Sequence, residues 1–202
     1  MLDALLAWDE GTFRLINGQW QYPTLDTLLP FVTHWKNFHV PFAIAAVVLV
    51  FLGGRRGRRF VLLALLTVLL ADALSTYAVK YPVWRPRPCI VLEGVRLLVG
   101  CVNSPSFPSN HVVNASALAT LVALAARPLL MPAFILAMLV AYSRVYVGVH
   151  YPLDVLSGAA LGVSVALLLS WGMTTLLRGL DIWQDSSPQA RRRIYSLKVD
   201  AS

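Results

Sequence analysis

Five apolar blocks, each about the length of a bilayer crossing, constrain this chain more than any other feature. They occupy about 38–53, 60–79, 110–126, 129–146 and 153–177, and a spanning helix takes about 17–25 residues. Composition agrees: 57% of residues are hydrophobic and 13% charged, against about 25% charged in an average soluble domain. The expected fold is all-α, a polytopic transmembrane helix bundle with about five spanning helices in a single membrane-embedded domain, 1–202. The first block is short for a span. The alternative is six spanning helices, with 25–53 read as one long helix kinked at Pro30.

Residues 1–37 are mixed in character. Leu2, Leu5, Leu6, Phe13 and Ile16 fall on one helical face, as do Leu25, Leu28, Leu29 and Val32. With Gly18 and Pro23 between them, they predict two amphipathic helices on the membrane interface. No secretory signal is expected, because the start carries Asp3, Asp9 and Glu10 and lacks a basic stretch and a clean apolar run.

The net charge is +7, and its distribution sets an orientation. Arg55, Arg56, Arg58 and Arg59 read as a cytoplasmic loop. Arg178, Arg191, Arg192, Arg193 and Lys198 read as a basic cytoplasmic tail, 178–202. Nucleic acid is excluded as a partner, since no polar domain carries a basic patch, and no obligate protein partner is indicated. With this orientation Lys80, Arg85, Arg87 and Arg144 fall at helix ends on the outer side, where the topological rule disfavours them. They need another reason to be there.

That reason lies in three polar clusters delivered to the same face. The first is Lys80-Tyr-Pro-Val-Trp-Arg85-Pro-Arg87-Pro88, at the outer end of the second block. The second is Pro108-Ser109-Asn110-His111, at the start of the third. The third runs from Ser143-Arg144 to His150 and Asp154, between the fourth and fifth. Cations, two histidines and a carboxylate at one depth suit transfer of an anionic phosphoryl group.

These clusters resemble the three motifs of the type-2 phosphatidic acid phosphatase family. Lys80 with Arg87-Pro88 matches the first motif. Ser143, Arg144, His150 and Asp154 match the third. Pro108 to His111 matches the second, except that Asn110 stands where the family has glycine. Asn is the next most tolerated residue in a left-handed turn, so retained activity is expected. The resemblance covers about residues 60–175.

The resemblance implies roles. His150 would attack phosphorus and form a phosphohistidine, with Asp154 fixing its tautomer. His111 would act as acid on the leaving oxygen, then as base on water. Lys80, Arg87, Ser109, Asn110 and Arg144 would hold the phosphate. It also implies neither metal nor other cofactor, and the sequence has no cluster with metal-ligand spacing. Soluble haloperoxidases share the motif pattern but not this apolar chain.

Other residues keep open readings. Arg85 holds a second phosphate or headgroup, or snorkels to the interface. Asn114 steadies His111, lines the pocket or packs helices. Asp72, mid-helix, is expected to bond Ser or Thr groups on neighbouring helices. Tyr81 and Trp84 read as interfacial anchors. His34 and His39 fit no motif. Cys89 and Cys101 share an outward loop, where a disulfide persists. Val91, Leu92, Val95, Leu97, Leu98 and Val99 make that loop apolar enough to dip into the interface beside a lipid tail.

The expected function is a metal-independent integral membrane phosphatase, in a bacterial cytoplasmic membrane with its site facing outward. Candidate substrates are undecaprenyl diphosphate, phosphatidylglycerophosphate, phosphatidate and lipid A 1-phosphate. The alternatives are a lipid phosphotransferase using the same site and a non-catalytic lipid-binding or transport scaffold.

Overall fold

The computed structural model describes residues 1–185, with side chains to residue 176. Among these residues all regular structure is helical. Helix α1 (Leu2–Arg14) runs into a π-helical turn, Leu15–Gln19, and α2 covers Pro23–Thr33. The apolar blocks then form α3 (His39–Leu52), α4 (Gly54–Ala73), α5 (Asn110–Ala125), α6 (Leu130–Tyr146) and α7 (Pro152–Asp185). The helical stretches Gly54–Val91, Arg127–Tyr146 and Pro152–Leu176 are long and apolar enough to cross a membrane, and His39–Leu52 and Asn110–Ala125 are shorter apolar helices. The chain is an all-α membrane bundle. The single long helix over 25–53 does not form. His34 is extended (φ −81°, ψ 102°) and a 3-10 turn, Trp35–Asn37, separates α2 from α3.

Met1–Leu167 form one compact unit, to which the core and the site belong, and the remainder of α7 falls in a second, Leu168–Ser202. Helix α7 continues past the expected boundary at 177 as far as Asp185. Gly179 alone is tolerated in a helix, and the next proline is Pro188. The expected basic tail therefore begins in helix, and its residues 186–202 lie outside the described residues. The arginines Arg55 to Arg59 also differ from expectation. They sit in the first turns of α4, because Gly53 and Gly54 (φ +59°) suffice for the turn from α3.

Two local features position the motifs. Beyond Ala73 the α4 helix widens into a π-helical stretch, Leu74–Lys80, followed by one turn, Tyr81–Val83. The extra residue per turn changes the direction in which Lys80 projects, and such bulges recur at functional sites. Trp84 stops the helix in the left-handed region (φ 44°, ψ 48°). Helices α5 and α7 meet backbone to backbone at Gly158 and Gly162. A Cβ at Gly162 would lie 2.1 Å from the Val113 carbonyl oxygen, and one at Gly158 would lie 2.9 Å from that of Ser109. Small residues four apart permit this approach in membrane helices. As a result the Ser109 N–H donates to the Asp154 carbonyl at 3.0 Å, joining the second motif to the third.

The N-terminal helices pack on the motif-bearing end. Phe13 is buried with Val112, Val145, Tyr151 and Val155, and Leu29 with Tyr146, Val147 and Val149. The apolar loop expected beside a lipid tail is instead mostly absorbed here. Leu92 and Val95 join the first cluster, and Leu98 and Val99 the second. α1 and α2 offer that loop an apolar surface within the protein. Cys89 and Cys101 are joined in a disulfide that closes this loop, with Cα atoms 6.3 Å apart.

Candidate active site

His150 occupies the corner between α6 and α7, delivered there by Gly148 (φ +89°). Any side chain at Gly148 would meet the Arg96 carbonyl oxygen at 2.9 Å. The imidazole is 1% exposed. Its Nε2 lies 3.1 Å from Arg87 Nη1. A guanidinium only donates, so Nε2 carries the lone pair and Nδ1 the proton. Nδ1 faces Asp154 Oδ2 at 3.4 Å, without hydrogen-bond alignment. The Asp154 contact is looser than the resemblance implied. Burial, then the nearby Arg144, Arg87 and Lys80 charges, holds the His150 pKa well below its ordinary 6.5.

The expected phosphate-binding cations converge around His150. Arg87 donates from Nε to the Ser104 carbonyl at 2.9 Å, from Nη2 to Ser104 Oγ at 3.1 Å and from Nη1 to the Val149 carbonyl at 3.1 Å. Lys80 Nζ donates to the Pro105 carbonyl at 3.2 Å. Arg144, in the last turn of α6, donates from Nη1 to Thr33 Oγ1 at 2.5 Å. All three cations are under 10% exposed, and among the described residues none pairs with a carboxylate. Arg144 Nε and Ser109 Oγ are buried without a hydrogen-bond partner. Ser109 also stands just before the first turn of α5, where unpaired N–H groups favour anions. A set of buried donors with uncompensated positive charge is suited to an anion with several oxygens.

Arg85 has partners that the sequence reading did not name. It is locked between two carboxylates, donating from Nη1 to Asp154 Oδ1 at 2.9 Å and from Nη2 to Asp9 Oδ2 at 2.6 Å. Its Cζ lies 3.9 Å from the centre of the Tyr151 ring. Desolvation pushes the Asp9 carboxyl up, with the Leu153 N–H and Arg85 opposing that shift.

Asn110 is corrected more fully. It is the first residue of α5 rather than a left-handed turn. Its side chain points away from the phosphate donors, accepting from Ser75 Oγ at 2.9 Å and donating to Asp72 Oδ1 at 3.0 Å and Thr76 Oγ1 at 2.8 Å. Asn114 also donates to Asp72, at 3.2 Å. The two amides therefore tie α5 to α4, and Asp72 bonds amides rather than the hydroxyls expected.

His111 lines a cavity of about 430 Å³ with apolar walls. The cavity follows α5 from His111 to Val122 and α6 from Val140 back to Pro132, between the faces of Val32, Trp35, Phe38 and Phe42. Eleven steps of helical rise along α5 make that roughly 16 Å. Thr33, the partner of Arg144, also lines it. His39, assigned nothing from sequence, is in this wall.

Sequence reasoning missed Asp9, Thr33 and the Ser104 and Pro105 acceptors. Their roles depend on contacts with residues far along the chain, which no local spacing reveals. The glycine pair 158/162 was readable as a close-packing signal.

Buried cations without a carboxylate partner around a histidine, at the head of an apolar cavity in a membrane bundle, fit an enzyme that acts on lipid phosphates. Comparison with known proteins agrees. The PAP2 superfamily model matches residues 60–178. An undecaprenyl-diphosphatase of Sulfolobus acidocaldarius is 33% identical over 77% of this chain and 74% of its own. Undecaprenyl-diphosphatase BcrC of Bacillus subtilis is 29% identical over 77% of this chain and 79% of its own. Among solved structures, Aquifex aeolicus LpxE superposes with a TM-score of 0.65 at 30% identity, covering 81% of this chain and 94% of that one. The first transmembrane PAP2 type phosphatidylglycerolphosphate phosphatase from Bacillus subtilis gives 0.71 at 26% identity, covering 86% and 88%. The chain belongs to the PAP2 superfamily, and it is an integral membrane lipid phosphatase.

Proposed function

We propose that the chain hydrolyses a polyprenyl diphosphate, undecaprenyl diphosphate first among the candidates, through a phosphohistidine on His150. The observation that carries this reading is the junction of two environments. Arg87 Nη1 stands 3.1 Å from His150 Nε2, Arg144 Nε and Ser109 Oγ are buried without a partner, and the apolar cavity begins at His111. One substrate with an anionic head and an apolar tail fills both. The two relatives named undecaprenyl-diphosphatase support the diphosphate.

In the first step the Nε2 lone pair attacks the terminal phosphorus. The bond from phosphorus to the bridging oxygen breaks, and His111 gives that oxygen a proton. The lipid monophosphate leaves along the cavity. Lys80, Arg87 and Arg144 hold the non-bridging oxygens, with Ser109 Oγ and the first N–H groups of α5 completing the cradle. Arg87 now donates to Nε2, so it must turn toward the phosphate as that lone pair forms its bond to phosphorus. In the second step His111 takes a proton from water, the oxygen attacks phosphorus, the P–N bond breaks and inorganic phosphate leaves. Each step uses groups of this chain alone, and activity is expected to persist in a chelator.

The arginines of the first α4 turns lie at the helix end away from Lys80. Under the positive-inside rule this supports a site on the outer face of a cytoplasmic membrane.

The test is phosphate release in detergent with chelator, by wild type and His150→Ala, on the four candidate lipids. Release from polyprenyl diphosphate by wild type alone supports the full reading. A higher kcat/KM on a glycerolipid phosphate or lipid A 1-phosphate would overturn the substrate. Turnover by His150→Ala would overturn the mechanism.

A further inference from the structure

The chain of polar contacts that ends at His150 begins outside the three motifs, on the helix that sequence reads as a surface element. Asp9 of α1 is fully buried, and both its oxygens are engaged. Oδ2 accepts from Arg85 Nη2 at 2.6 Å. Oδ1 accepts from the Leu153 N–H at 2.7 Å. Leu153 is the second residue of α7, so its N–H is among those a helix start leaves without an internal partner. Asp9 therefore caps, from another element, the helix whose third residue is Asp154.

Through Arg85 it reaches Asp154 a second time. The guanidinium is planar, with one nitrogen on each carboxylate and its face against Tyr151, so it has no free rotation. Asp154 Oδ1 is committed to Arg85. That leaves Oδ2 for the Tyr151 N–H at 2.9 Å and for the side of His150 Nδ1. Without Asp9, Arg85 is free to grip both Asp154 oxygens as a fork, drawing Oδ2 away from His150.

We propose that Asp9 is a positioning residue of the phosphatase, which holds Arg85 so that Asp154 stays directed at His150, and that α1 is a wall of the site. The inference rests on His150 being the nucleophile. A buried ion pair that only fastened α1 would affect stability. A pair that aims Asp154 affects turnover of bound substrate.

Asp9→Asn separates these roles, because asparagine still accepts from the Leu153 N–H but loses the charge that holds Arg85. Its kcat is expected to fall about 10- to 100-fold with KM changed less than about twofold, as for a displaced catalytic group. In an Arg85→Lys background, where the fork is already lost, Asp9→Asn should cost little more. Wild-type kcat in Asp9→Asn overturns the proposal, whether or not its Tm falls. So does a change confined to KM, or full additivity with Arg85→Lys. Should Asp9→Asn fail to fold, Arg85→Lys alone carries the test: it keeps the cation without the fork, and wild-type kcat there overturns the proposal. His150→Ala in the same assay distinguishes the two levels. Turnover by His150→Ala removes the underlying nucleophile, whereas an inactive His150→Ala beside a normal Asp9→Asn removes only the role of Asp9.

Discussion

The arginines at the motif-bearing end fall into two kinds. Arg87 and Arg144 are bonded only to carbonyls, hydroxyls and an imidazole. Arg85 and Arg96 each meet a carboxylate, Asp9 and Asp154 in one case and Asp26 in the other. The residue type is the same throughout, and all four lie near α6 or the loops around it. The difference is charge compensation. A buried guanidinium that already has a carboxylate has little left to offer an anion, and it serves to fix geometry. One satisfied by neutral acceptors keeps its field for a ligand, at a standing cost in the free protein. On the proposed reading, cations of the first kind bind phosphate, and those of the second hold the frame.

The sharpest way to break this division is Arg144→Lys. Losing a directed, two-pronged donor to the transferring group should cost about 10²–10³ in kcat, with thermal stability nearly unchanged. Wild-type kinetics would return Arg144 to the frame. The next effect is on pH dependence. His150 is neutral well below pH 6.5 because of burial and then the neighbouring Arg144, Arg87 and Lys80. The acid limb of kcat/KM should therefore not lie near 6.5 in the wild type. Arg87→Gln removes one of the charges disfavouring imidazolium, so the limb should move to higher pH, whereas Arg96→Lys should leave it in place. An unmoved limb in Arg87→Gln would break the electrostatic part of the comparison.

Smaller effects belong to the frame. Asn110→Gly restores the family's residue but strips Asp72 of one amide donor and leaves Ser75 and Thr76 without their partner. It should cost about 1–3 kcal/mol of stability and less in turnover than Arg144→Lys, as read by thermal unfolding and kcat on the same preparation. Asp26→Asn should have the least effect on activity. The Asp26 carboxyl sits below its usual range because the Tyr146 hydroxyl and Arg96 both donate to it. Its contribution is present above the ordinary carboxylate pKa and lost as pH falls through the lowered one. The variant should show a weaker acid dependence of Tm than wild type with kcat per folded molecule unchanged.

The sequence by itself determined the solvent, the helices and the class of enzyme. Apolar blocks of spanning length leave an all-α bundle as the reading, and each block became a helix. Helix ends, a local property, carry the three polar clusters to one face, and the resemblance to the family's motifs selects Lys80, Arg87, Ser109, Arg144, His150 and Asp154 within them. What the tertiary structure alone decided is which polar groups are paired. Arg85 and Arg87 are two residues apart in one motif. One is locked to carboxylates by α1, and the other turns to His150. Asn110 and His111 are adjacent, yet one is bonded to α4 and the other lines the apolar cavity. Neighbours on a helix point about 100° apart. Which partner each then meets depends on elements up to 144 residues distant, as Leu153 and Asp9 are. Pairing decides whether a charge is free to act, and it is a property of the packed bundle.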